Sequence, residues 1–236
     1  MNRRFLLLCV AMCLMGIVPM KAQIGILLGF DQSINRTKIG SEATFQKKPA
    51  LNGFKAGVFY EHNFKYGLGL YYGVNYNFLH DKTKWEGQGN GWLLRTATTL
   101  HNLDFPIHFQ YKLSIAKDTY LMAYTGPTLA LGLAGTEAVT KKNGLPENNP
   151  LFQQSTTRAN LYSRDVNQDG FADLQRFDVM ISVGAGLQFK NIQLKGGYDF
   201  GLLNRYGNSY MDGSRWFDRR NEWSIRLAYQ FGNWKW

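Results

Sequence analysis

From Asn221 the chain reads NEWSIRLAYQF, and every second residue is large and apolar. Trp223, Ile225, Leu227, Tyr229 and Phe231 alternate with Glu222, Ser224, Arg226, Ala228 and Gln230. A period of two places the two sets on opposite faces of an extended strand. The same alternation runs through 178–189, 192–202, 103–113 and 68–78, and less regularly through 25–33, 53–62 and 119–133. These segments predict eight strands.

The polar face of these strands decides what they build. It carries Lys55, Glu61, Asp104, His108, Lys112, Asp178, Lys195, Asp199, Glu222 and Arg226 among many glycines. In the core of a soluble protein such charges would cost several kcal/mol each unless paired. Inside a narrow barrel they pair with one another while the apolar set faces lipid. No apolar run of about 18 residues follows the first 22 residues, so a membrane helix is not expected. The connections alternate in length: short around His62–Lys65, Ser114–Asp118 and Lys190–Asn191, and long at about 34–50, 80–92, 135–176 and 204–221. Short inner turns and long outer loops mark outer-membrane barrels. The expectation is an all-β fold: an eight-stranded antiparallel transmembrane β-barrel of the outer-membrane type, both ends in the periplasm. Pro106 lies within a strand and predicts a bulge there, because a closed barrel has no edge at which a missing donor is harmless.

Residues 1–22 read as a secretory signal peptide, with Arg3 and Arg4, an apolar run from Phe5 to Val18, and Ala22 at the cut. The barrel domain is then 23–236, in the bacterial outer membrane. Both cysteines, Cys9 and Cys13, fall inside the signal, so disulfides and thiolate metal sites are not expected. Loss of Arg3, Arg4 and Lys21 takes the formal charge from +10 to +7, which suits anionic partners.

Three stretches carry a resemblance to a known family. LDFPIHFQYKL (103–113), AYTGPTLALGL (123–133) and RFDVMISVGAGLQFKNIQLKGGYDFGLLN (176–204) resemble the fourth strand, the fifth strand and the following hairpin of the outer-membrane β-barrel domain common in Bacteroidota, the family of the PorT-type barrels. The ending AYQFGNWKW is similar to the aromatic last strand read by the barrel-assembly machinery. The resemblance spans essentially the whole chain after the signal. It implies a porin-family or PorT-like barrel, with a role in type IX secretion among the functions to be tested.

One loop stands apart. DVNQDGFAD places Asp165, Asn167, Asp169 and Asp173 around Gly170, oxygen ligands ahead of a sharp turn, as a calcium loop requires. Position twelve is Arg176 instead of Glu, so Asp173 or Asp178 would have to close the site. A solvated Asp/Asn/Gly turn has the same composition. Apart from calcium here, no cofactor is expected. The histidines His62, His80, His101 and His108 are the only ones. His80 beside Asp81 and His101 near Thr98 and Thr99 are the neighbours a lipid A-modifying site would use, and His108, near Asp104 and Asp199, reads as part of a polar network. No nucleophile elbow, metal pair or recognisable acid–base spacing is present, so no enzyme is expected. Basic residues in the loops (Arg36, Lys38, Lys47, Lys48, Lys82, Lys84, Lys141, Lys142, Arg205, Arg215, Arg219, Arg220) suit lipopolysaccharide or solvent equally. Outer-membrane lipid and lipopolysaccharide, the assembly machinery and other envelope or secretion proteins are the expected partners; nucleic acid is not. The functional reading is a structural or interaction barrel. A narrow channel and a lipid A-modifying enzyme are the alternatives.

Overall fold

The computed structural model describes residues 21–39, 46–47, 50–88, 91–146, 148–162, 174–206, 210–211 and 214–231. The strands in chain order are β1 (Lys21–Ile39), β2 (Gln46–Lys47), β3 (Leu51–Asn63), β4 (Leu68–Lys82), β5 (Glu86–Gln88), β6 (Trp92–Ala116), β7 (Thr119–Asn143), β8 (Gln154–Asn160), β9 (Phe177–Phe189), β10 (Ile192–Gly201), β11 (Tyr210–Met211) and β12 (Ser214–Phe231). Eight of them form a ring in the order β1, β3, β4, β6, β7, β9, β10, β12, and β12 pairs back onto β1 from Ile24–Phe231 to Ile39–Trp216. Every neighbouring pair is antiparallel. The expected eight-stranded barrel is the observed one.

The alternation sorts as predicted. Outward positions such as Leu28, Phe109, Leu187, Leu194, Ile225 and Leu227 are exposed, while the polar set between them is buried. No helix among the described residues is long and apolar enough to cross a membrane, so crossing falls to the strands. Aromatic pairs flank the apolar belt. Tyr60 and Tyr72 (ring centroids 5.1 Å apart) and Tyr229 and Phe231 (5.3 Å) lie toward the short turns. Phe30 and Trp223 (5.6 Å) and Tyr198 and Phe200 (4.6 Å) lie toward the long connections.

Two expectations are corrected. There is no bulge at Pro106. The ladder lapses instead, between Tyr72–Ile107 and Asn75–Asp104 on one side and between Pro106–Thr128 and Phe109–Thr125 on the other, with the register kept. A residue without an N–H removes a rung: Pro106 lies in the lapse against β4, and Pro127, opposite Ile107, lies in the lapse between β6 and β7. Strands already pinned above and below need not add a residue to absorb either. The register shifts between β6 and β7 lie elsewhere, at Ser114/Ala116 beside the short turn and at His101/Asn102, where β6 leaves the belt. Second, much of the expected loop sequence is strand. β1 runs to Ile39, β4 to Lys82, β7 to Asn143, and β12 begins at Ser214. β6 and β7 hold 25 residues each, whereas a crossing takes about 9–11. The surplus projects from the barrel as a sheet.

Because the belt faces lipid, Leu227→Arg near its middle should lower stability by about 2–4 kcal/mol. Urea unfolding of the barrel in lipid vesicles measures this directly.

Candidate functional site

The lumen is filled, layer by layer, by the polar side of the alternation. Nearest the short turns, Lys112 Nζ is bonded to Glu61 and donates to Gln188 (2.7 Å), while Gln193 donates to Glu61 (3.1 Å). Above them lies an aromatic layer. Phe59 stacks on Tyr71 (5.0 Å), and the His108 ring sits between Tyr71 (5.6 Å) and Tyr124 (5.2 Å). Tyr124 fits because its neighbours are small: a Cβ on Gly197 would lie 2.2 Å from its hydroxyl. Lys195 Nζ lies 4.2 Å from the centre of the Tyr71 ring, and Arg226 meets Asp199 at 3.6 Å.

The next layer is the strongest. Lys55 Nζ lies 2.8 Å from Asp31, 2.9 Å from Asp104 and 3.6 Å from Glu222. Arg220 reaches Glu222 and Asp104, and Asn77 donates to both of the same carboxylates. Asp31, Asp104 and Glu222 are close enough to hold a metal ion between them. The Lys55 ammonium already stands where that cation would sit, so this is an ion-pair network. Over it, Leu51, Leu79, Leu100 and Tyr162 close the outer mouth, and the Tyr162 hydroxyl donates to Asn102 (3.2 Å).

Beyond the mouth stands the projecting sheet. Its strands are the end of β4, β5, the outer parts of β6 and β7, and β8, which pairs with β7 from Thr136–Asn160 to Lys142–Gln154. β8 pairs with no other described strand. Trp85, in the link before β5, lies under two cations, Arg95 at 4.3 Å and Lys142 at 4.5 Å.

The model of the outer membrane protein beta-barrel domain family matches residues 18–206, most of the chain. The chain belongs to that family. No curated protein matches it. Among solved structures it is similar to the attachment invasion locus protein Ail of Yersinia pestis, crystallised with the heparin analogue sucrose octasulfate, at 16% identity over 89% of this chain and 99% of that one, with a TM-score of 0.36. It is also similar to Neisserial surface protein A, at 11% identity over 87% and 97% with a TM-score of 0.36. At such values the likeness carries no functional argument.

The sequence-predicted sites of this outer-membrane barrel scatter. Asp165, Asn167, Asp169 and Asp173 lie outside the described residues. Asp178 is buried in the lumen and accepts from the Val179 amide (2.8 Å). His80 pairs with Thr99 (2.9 Å) and His101 with the Tyr76 hydroxyl (2.5 Å) on the outer face, and neither meets a described carboxylate. His108 shares a network with Thr128 (3.1 Å) and Ser182. Two residues assigned to basic loops are instead interior: Arg205, paired with Asp218, and Arg220. Arg220 stands on β12, which continues where a loop was expected, and Arg205 lies in the turn after β10, its backbone N–H bonded to the Asp218 carbonyl (2.9 Å). Sequence reasoning missed Arg95 and Arg158, which stand on projecting strands with no apolar alternation to announce them.

Lys55→Met should cost about 3–5 kcal/mol, since it leaves a cluster of carboxylates without its central cation. Combining it with Asp31→Asn and Glu222→Gln should recover much of the loss. The urea midpoints of the single and triple variants check this.

Proposed function

We propose that the protein is a sealed, non-enzymatic outer-membrane barrel that serves the envelope as a docking element, holding partner proteins on its projecting sheet. The observation that carries this reading is β8. An exposed strand paired on one side only offers unpaired backbone groups to an extended partner segment, which adds to the sheet as a further strand. The filled lumen speaks against the narrow channel. The histidine–hydroxyl pairs without carboxylates speak against a lipid A-modifying enzyme. A link to type IX secretion, as for PorT-type barrels, is the narrower form of this proposal, supported by the sequence resemblance alone.

A photo-crosslinking residue at Thr157 in β8, in cells, should capture a protein partner, and one at lipid-facing Leu187 should not. The identity of the adduct would distinguish a secretion assembly from another envelope complex. Silence along 154–160 would sink the docking role. The purified barrel should give no conductance steps in planar bilayers, and regular openings would restore the channel reading.

A further inference from the structure

The strand register gives the projecting sheet two chemically different faces. Cross-strand partners share a face, and successive residues alternate. Asp81 pairs with Thr98, Thr98 with Glu137, and Glu86 with Leu94. These three acids therefore share the face that continues the lumen side, with Lys141, the partner of Leu94, beside them. The opposite face continues the lipid side of the barrel. On it, Lys82 pairs with Ala97, Ala97 with Ala138, and Ala138 with Arg158. Arg95 and Lys142 occupy the same face further out, meeting over Trp85. The lipid-side face of the described sheet thus holds four cations and no carboxylate.

That face joins the membrane belt without a break. A groove of about 310 Å³ runs from Leu133, lipid-facing and 42% exposed, past Ala134 and Thr136 to Asn160 and Arg158. Its apolar end suits an acyl chain and its upper end an anion. Lys82 and Arg158 stand in one row with two alanines between them, four residues beyond His101, or roughly 13 Å along the strand. With the strands tilted by about 40°, the row stands roughly 10 Å above the belt, at the outer edge of the headgroup layer, where the phosphorylated sugars of a glycolipid lie. Arg95 and Lys142 share one indole and have no described carboxylate in salt-bridge range, so their mutual repulsion favours an anion between them.

We propose that the lipid-side face of the projecting sheet seats the phosphorylated headgroup of an outer-leaflet glycolipid, held by Lys82, Arg95, Lys142 and Arg158. This goes beyond the docking role of β8. A protein partner is disfavoured on this face because its lower edge is continuous with the lipid belt. A soluble polyanion would satisfy the cations but leave Leu133 and Ala134 without a counterpart.

The test reconstitutes the full barrel in nanodiscs of phosphatidylcholine with bisphosphorylated lipid A and counts retained lipid A by native mass spectrometry. Each cation near an anionic surface contributes roughly fivefold. A variant with Lys82→Gln, Arg95→Gln, Lys142→Gln and Arg158→Gln should therefore retain at least about tenfold less lipid A. Lys141→Gln, on the other face of the same sheet, should retain as much as the unaltered chain. Heat-modifiable migration on gels checks that each variant is folded. If the quadruple variant misfolds, the pairs Lys82→Gln/Arg158→Gln and Arg95→Gln/Lys142→Gln test the two halves separately. Equal retention by the altered and unaltered chains, or of dephosphorylated lipid A, would overturn the proposal. So would tighter binding of soluble polyphosphate with no enrichment of lipid A.

Discussion

The pairing of β1 with β12 is the constraint from which the rest follows. In hydrocarbon an unpaired backbone N–H or C=O costs several kcal/mol, so a sheet that crosses a bilayer must have no edge. Closure from Ile24–Phe231 to Ile39–Trp216 removes it. Once the ring is closed, each side chain faces either lipid or the lumen. With eight strands the lumen is only wide enough to be filled by side chains. Charge placed there has no bulk water to retreat to and must be met by charge.

The lumen meets that demand closely. Among the described residues it buries Asp31, Glu61, Asp104, Asp178, Asp199, Asp218 and Glu222 against Lys55, Lys112, Lys195, Arg205, Arg220 and Arg226. Seven acids against six bases leave the interior near neutrality. The described lumen residues therefore contribute none of the chain's positive excess. Among the described residues outside the lumen, the cations are not spread evenly. The register collects Lys82, Arg95, Lys142 and Arg158 on one side of one sheet and turns the nearby acids to the other.

How much of this was legible depends on what each strand touches. Where one side met lipid and the other the lumen, as from Trp223 to Phe231, solvation differed between the faces and the sequence alternated accordingly. The alternation alone places Lys55, Asp104, Lys112 and Glu222 inside the barrel. Where both sides meet water, as in Gln154–Asn160 or the outer half of β7, nothing forces alternation. Those strands read as loops, and Arg95 and Arg158 passed unnoticed. Arg205 and Arg220 failed for a related reason: they stand in a polar run, and only the pairing with Asp218 and Glu222 reveals that the run turns inward. The metal-binding pattern at 165–173 is visible in sequence, but its residues lie outside those described.

The filled lumen and the projecting sheet are mechanically one object. β6 carries Asp104 in the ion-pair network, Leu100 under the Tyr162 lid and Arg95 on the outer face, all on a single uninterrupted strand. β7 likewise passes from Tyr124 in the aromatic layer to Lys142 beside Trp85. A two- or three-stranded ribbon free in water is marginal by itself. Anchored in a packed, ion-paired barrel, the same ribbon does not have to supply its own core, and its surface is free to carry residues chosen for what they bind. The interior charges thereby acquire a role: they fix the direction in which β6 and β7 leave the membrane, and so keep the cationic face turned toward the lipid side.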